Sequence, residues 1–317
     1  MGSFPIKENH TWNIHDSSKI QCFMECPRKY FYRYMLGWEG SKPNIHLIFG
    51  EAWHRSMEHL LLNGYDSASI QGAYEVFMEY YRQHYDESTD LQMSPKSPLS
   101  VLPALIGYTN QWVGDDFEVL HTEVAGTVPI GENRFVNWRI DAVVKGPEGV
   151  FCLEHKTGSR LMKAWSDQWF LSMQVGTYSH VLYCLYDKED VYGVKVNGTI
   201  FRKRDTEFIR VPIRKSLAAM KIWLHTVNHY MDMLKWNFET LAESSDKDDL
   251  LQAFPMNTTA CTKYGTCQYF DFCTTWNNPL QKLDRVPLGF EEKWWNPADR
   301  EEGAKKLIHI KEEKKDE

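Results

Sequence analysis

The chain lacks any apolar run near the ~18 residues that span a bilayer, so nothing in it reads as a transmembrane helix. Its N-terminus is polar where a secretory signal would be apolar, which excludes that signal. Met1-Gly2 is not followed by Ser or Thr at position six, where Ile6 stands, so the myristoylation pattern is missing too. These absences lead us to expect a soluble, cytoplasmic protein with no membrane partner. There is no excess of positive charge: 36 Lys and Arg face 43 Asp and Glu, a net of −7. That balance excludes a generally basic coat but leaves room for a local basic groove. No Gly-rich phosphate loop ending in Gly-Lys-Ser/Thr occurs, so the chain carries no helicase signature. At 317 residues and 43% hydrophobic content, it can bury one large core or two small ones.

What is present centres on residues 138–158. Two short apolar runs, 140–144 and 150–153, flank the turn-like Lys145-Gly146-Pro147-Glu148-Gly149 and read as a hairpin. Asp141 lies in the first run and Glu154 closes the second. Lys156 follows two residues later, on the same face of a strand as Glu154. Two carboxylates held close repel each other, and a cation relieves them. A hard ion such as Mg²⁺ or Mn²⁺ suits such oxygen ligands, and Lys156 could orient water or stabilise charge on a phosphate oxygen. The plainer alternative is a hairpin with a surface ion pair. Acid-x-Lys also occurs at Glu291/Lys293 and Glu312/Lys314, but only at Glu154 does it end an apolar run.

Along the rest of the chain, residues 1–15 read as a loose arm, and Asp16-Ser17-Ser18 offers the N-cap of a first helix. Pro27 suits the start of a second helical turn, in which Arg28, Lys29 and Arg33 interleave with aromatics including Tyr30. That mixture suits phosphates and bases, or else a core stripe with a solvated basic face. Gly50 to His54 opens another helix, and Ala68 to Tyr81 reads as the next. The Ser-, Pro- and Asp-rich stretch 87–102 is the candidate mobile loop. A helix is expected over 103–117, strands near 118–126, 134–144, 191–202 and 206–212, and helices over 165–185 and 215–236. Gln174 and Tyr178 share one helical face. Three cysteines, Cys261, Cys267 and Cys273, are each separated by five residues, a density that suits zinc or an iron–sulfur cluster. Cys26 is the best fourth ligand, with Cys22 one turn away as a substitute.

Taken in order, Cys26-Pro27-Arg28, Gly50 to His54, Asp141, Glu154 to Lys156, Gln174 to Tyr178 and the terminal cysteines resemble RecB-type PD-(D/E)XK nucleases with an iron–sulfur cluster. CRISPR-associated exonucleases and AddB-type nuclease domains are of this kind. The resemblance implies an α/β (α+β) restriction-endonuclease-like core: a central mixed β-sheet flanked by helices, with N- and C-terminal segments joined by a cysteine-ligated cluster. It implies one nuclease domain over 16–296, comprising a helical part 16–115, the core 118–240 and a cysteine segment 255–280, with 297–317 a charged, frayed tail. It implies a metal-dependent DNA exonuclease in which His54, Asp141, Glu154 and the carbonyl of His155 bind Mg²⁺ or Mn²⁺. Lys156 would be catalytic, Gln174 and Tyr178 would position the lysine, water or strand, and Arg28 and Tyr30 would bind nucleic acid. Cys26, Cys261, Cys267 and Cys273 would hold a 4Fe–4S cluster, with zinc the less favoured occupant. The implied partners are DNA that is single-stranded or has free ends, a helicase or recombination partner, and a second copy in an oligomer. Two departures stand out: two residues rather than five often separate the first terminal cysteines of relatives, and Gly often stands where this chain has Arg139.

Overall fold

The computed structural model describes residues 4–263 and 265–311. The helices are α1 (Ser17–Glu25), α2 (Pro27–Tyr30), α3 (Ile45–Asn63), α4 (Ser67–Tyr81), α5 (Val101–Gln111), α6 (Lys163–Asp167), α7 (Met173–Leu185), α8 (Leu217–Ala242) and α9 (Phe270–Thr275). The strands are β1 (Trp38–Gly40), β2 (Glu118–Gly131), β3 (Arg134–Gly146), β4 (Gly149–Gly158), β5 (Val191–Phe201), β6 (Thr206–Ile213), β7 (Phe290–Glu292) and β8 (Lys306–His309). Six of the strands form one mixed sheet in the order β6-β5-β4-β3-β2-β8; β1 pairs with β7 separately. No helix among the described residues is long and apolar enough to cross a membrane.

The sheet is the middle layer. On one face α1, α7 and α8 pack Ile20, Val181, Trp223 and Val227 against Val124, Val128, Ile140 and Val196. On the other, α3, α4 and α5 close Phe49, Trp53, Phe77, Leu105 and Tyr108 onto Phe201. A third core joins the two chain ends, with Phe23, Tyr30, Phe31 and Tyr32 against Leu234, Phe254 and Tyr269. The central hairpin forms as its pattern predicts, β3 against β4 from Ala142↔Leu153 to Gly146↔Gly149. Gly149 has φ +118, and a Cβ there would meet the Asp190 carbonyl at 2.4 Å, so both turn and close approach demand glycine.

Asp16 caps α1 as expected, its Oδ1 accepting from Lys19 N at 2.8 Å. Several expectations fail, for identifiable reasons. The arm before it is not loose over its described part: Ile6 and Trp12 are buried, and the fully buried Lys19 donates its Nζ to the Thr11 and Ile14 carbonyls at 2.6 and 2.9 Å. The 87–102 stretch is docked, because Asp90 receives a two-pronged contact from Arg82 at 2.8 and 2.6 Å and Lys96 and Ser97 are buried. The helix expected over 165–185 breaks into α6, a 3-10 turn over Gln168–Leu171, and α7, which Ser172 caps through Val175 N. The tail is not frayed where it is described. Residues Pro297–Glu301 form a 3-10 turn, and β8 runs parallel to β2 from Val124↔Lys306 to Thr127↔His309. A Cβ at Gly126 would stand 1.8 Å from the Ile308 carbonyl, so glycine admits this strand. Glu312 and Lys314 lie outside the described residues.

His15 yields a prediction of acid sensitivity. It is 8% exposed, its Nδ1 has no hydrogen-bond partner, and burial, aided by the Lys19 charge, lowers its pKa to about 3. The unfolded imidazole titrates near 6.5, so between pH 6.5 and 3 the unfolded chain holds the extra proton. Its contribution is present above pH 6.5 and is lost as pH falls, by up to ~1.4 kcal/mol per unit. Urea unfolding at pH 7.0 and 4.5 is expected to differ by about one proton's slope more in wild type than in His15→Gln. Equal slopes would refute the assignment.

Candidate active site

The β3–β4 ladder ends at Ala142↔Leu153, and the next step of that register places Asp141 opposite Glu154. Where the ladder stops, the backbone N–H of His155 needs another acceptor, and it donates to Asp141 Oδ2 at 2.8 Å. The same oxygen faces His54 Nδ1 at 3.2 Å, delivered from α3 one helical turn after Gly50. Glu154 is 1% exposed. Its Oε1 accepts from Lys156 Nζ at 2.6 Å and from Gln174 Nε2 at 3.0 Å, whereas its Oε2 is buried without a partner. Gln174 also donates to the Tyr178 hydroxyl at 2.8 Å, and that hydroxyl donates to the Arg139 carbonyl at 2.5 Å. Hence strand alternation, one truncated ladder and one helical turn of α7 bring together the five groups His54, Asp141, Glu154, Lys156 and Gln174.

Electrostatics follow from burial and neighbours. Burial disfavours charge on His54, but Asp141 more than offsets it and raises the pKa to about 9. Asp141 is held well below the usual carboxylate range: burial works against its charge, but the adjacent His54 outweighs it. Burial and the charge of Asp141 push Glu154 upward. His155 is lowered to about 3 by burial, and its Nδ1 lies 3.1 Å from Asn197 Nδ2. His54, Asp141 and Glu154 line a cleft of about 720 Å³ whose other lining residues include Lys42, Lys293 and Arg300.

An unpartnered, buried carboxylate oxygen beside a second carboxylate and an imidazole is a donor set that a hard divalent ion fits. The side chains do not yet form a closed cage: among the described residues, no group of three or more His, Cys, Asp or Glu is arranged to hold a metal. Each donor is turned toward a protein partner, Asp141 to His54 and Glu154 to Lys156.

Two expected contact residues are misplaced for that role. Arg28 is 4% exposed and donates to the Phe254 and Leu251 carbonyls at 2.8 and 3.0 Å. Tyr30 is wholly buried, stacked on Phe254. Neither offers a surface to nucleic acid. Tyr178, 2% exposed, is likewise beyond a strand's reach and meets the site through its hydrogen bond with Gln174. Missing from the expectations were Lys96, whose Nζ donates to Thr157 Oγ1 at 3.0 Å beside the cleft, and Arg300. A Ser/Pro-rich segment and a charged tail hid both.

The four expected cluster cysteines, Cys26, Cys261, Cys267 and Cys273, line one small cavity with Lys29 and Phe270. Asn257 N donates to the Cys26 sulfur at 3.4 Å, tying α2 to the cysteine segment. Cys22 packs in the adjoining core instead.

The family model of the PD-(D/E)XK nuclease superfamily matches residues 17–274, which include His54, Asp141, Glu154, Lys156 and Gln174. The chain belongs to the PD-(D/E)XK nuclease superfamily. The central mixed sheet flanked by helices fits that fold, and membership points to a nuclease of a generally metal-dependent kind. No curated protein matches the chain. A solved structure described as "Crystal structure of SSO0001" is 13% identical over 74% of this chain and 83% of that one, with a TM-score of 0.29, too low to carry an argument.

Proposed function

We propose that this PD-(D/E)XK protein is a metal-dependent DNA exonuclease acting on strand ends. The observation that carries the reading is the buried Oε2 of Glu154, unpartnered among the described residues, in a residue that lines the cleft with Asp141 and Lys156. Asp141, Glu154 and His54 would hold Mg²⁺ or Mn²⁺, with the His155 carbonyl a further candidate. A bound ion supplies an acidified water and neutralises charge on the phosphate. Lys156 then contributes its ammonium at the phosphoryl oxygens, and Gln174, braced on Tyr178, holds Glu154 in its rotamer. Without a helicase motif, unwinding falls to a partner, in a setting such as recombination, repair or CRISPR spacer processing.

The same reading assigns a 4Fe–4S cluster, rather than zinc, to Cys26, Cys261, Cys267 and Cys273. Support comes from their shared cavity on segments more than two hundred residues apart, where a ligated centre would act as a staple. Anaerobically purified protein should contain iron and sulfide, and Cys273→Ala should lose both.

The activity test uses end-labelled single-stranded, duplex and closed circular DNA with Mg²⁺ or Mn²⁺. Loss of linear substrates with circles intact supports an exonuclease; nicking of circles would favour an endonuclease. DNA binding without cleavage by folded, metal-supplied protein would favour an end-binding assembly subunit.

A further inference from the structure

We propose that Arg300 is a phosphate-binding residue of the active site, gripping the nucleic-acid backbone beside the scissile bond; this rests on the nuclease reading above. Arg300 lies in the 3-10 turn Pro297–Glu301, outside the residues matched by the family model. Arg300 lines the same cleft as Asp141, Glu154, Lys156 and Gln174. It makes no hydrogen bond or ion pair through its side chain among the described residues; only its carbonyl is engaged, by Arg139 Nη1 at 3.1 Å. The carboxylates around it are Asp16, Glu154 and Asp141, and each is already served, Asp16 by Lys19 N and Trp295 Nε1, Glu154 by Lys156 and Asp141 by His54. A guanidinium held in a cleft without a protein partner presents a free planar fork, and such a fork matches two phosphate oxygens.

The strap that carries that side chain is tied down. Trp295 Nε1 donates to Asp16 Oδ2 at 3.0 Å, Asn296 caps the turn through Ala298 N at 3.1 Å, and β8 then joins the sheet on β2. Arg139 completes the device. It stands two residues before Asp141, on the same strand face, and its Nε donates to Glu123 Oε2 at 2.6 Å while its Nη1 holds the Arg300 carbonyl. The large side chain at this position therefore braces the strap that carries Arg300 into the cleft. A rigid backbone with an unpaired cation at its tip is pre-organised for an anion, so little is lost in ordering it.

The test pairs Arg300→Gln and Arg300→Lys with oligonucleotides in which one phosphate at a time is replaced by a neutral methylphosphonate. Single-turnover cleavage is measured in Mg²⁺ or Mn²⁺, and binding by anisotropy in Ca²⁺. Arg300→Gln should cleave about 10²-fold more slowly, the scale of losing one aligned donor at a charged centre, with its melting temperature unchanged. Arg300→Lys should recover only part of the loss, since an ammonium cannot make the two-pronged contact. At one phosphate near the cut, the methylphosphonate should weaken wild type and leave Arg300→Gln indifferent. The proposal is overturned if wild type cleaves and Arg300→Gln keeps pace within twofold, or if the variant and methylphosphonate effects simply multiply at every position. If folded, metal-supplied wild type cleaves nothing, it is the nuclease reading that has failed.

Discussion

Lys156→Ala is expected to slow DNA cleavage by about 10³-fold while leaving the protein folded and able to bind DNA. Among the described residues the lysine is the one cation in direct contact with Glu154, at 2.6 Å, and its Nζ also lies 5.9 Å from the Trp169 ring centroid. Its stem emerges from β4 one alternation after Glu154, so the register fixes its position. Removing it takes away the positive charge proposed for the phosphoryl oxygens and leaves Glu154 with Gln174 as its only side-chain hydrogen-bond donor among the described residues. Because the Lys156 side chain is partly exposed and lines an open cleft, its deletion leaves no closed cavity; the loss should fall on the rate far more than on the melting temperature. Lys156→Arg should not restore the rate, because the guanidinium fork does not fit the space a compact ammonium fills beside Oε1. Single-turnover kinetics with saturating protein separate this from a binding defect. Cleavage within fivefold of wild type would remove Lys156 from the chemistry.

How legible was this arrangement in the amino-acid sequence? The hairpin was, because two apolar runs around Gly-Pro-Glu-Gly admit few other structures, and with it came the meeting of Asp141, Glu154 and Lys156. Gln174 followed from α7, although Ser172 restarts the helix where periodicity runs straight through. What stayed hidden was decided by contacts distant in sequence. Residues 306–309 carry no alternating pattern, and only Ile308 packs against the main core, so their pairing with β2 depends on the room left by Gly126. Lys96 sits in a stretch whose composition announces a loop, and it is docked by Arg82–Asp90 and by Thr157, sixty-one residues away. Arg28 and Tyr30 misled because a basic–aromatic alternation has the same composition whether it faces a phosphate or a core. Only the acceptors, two carbonyls more than two hundred residues on, tell these apart.

The substitution Arg28→Met turns that distinction into a measurement. Arg28 donates Nε to the Phe254 carbonyl and Nη2 to the Leu251 carbonyl, and Pro255 O accepts from its backbone N–H at 3.2 Å. Phe254 has φ +53, an unfavourable backbone that its neighbours must hold in place. Methionine keeps most of the apolar stem but supplies no donor, so two buried carbonyls lose their partners. At roughly 1.5–3 kcal/mol for each bond from a charged donor, the expected cost is about 3–5 kcal/mol, a large part of a domain's usual stability. The damage should concentrate where residues 251–255 lead into the cysteine segment, so hydrogen exchange there should rise first, with metal-independent loss of protection in α2. The melting temperature should fall by about 10 °C. DNA affinity of the fraction that remains folded should match wild type within twofold. A nucleic-acid contact would give the opposite pattern, weaker and less salt-dependent binding on an unchanged melting curve. The buried geometry of Arg28 commits the chain to the first outcome, because a guanidinium only 4% exposed, with Nε and Nη2 spent on two core carbonyls, keeps its remaining N–H groups out of a phosphate's reach.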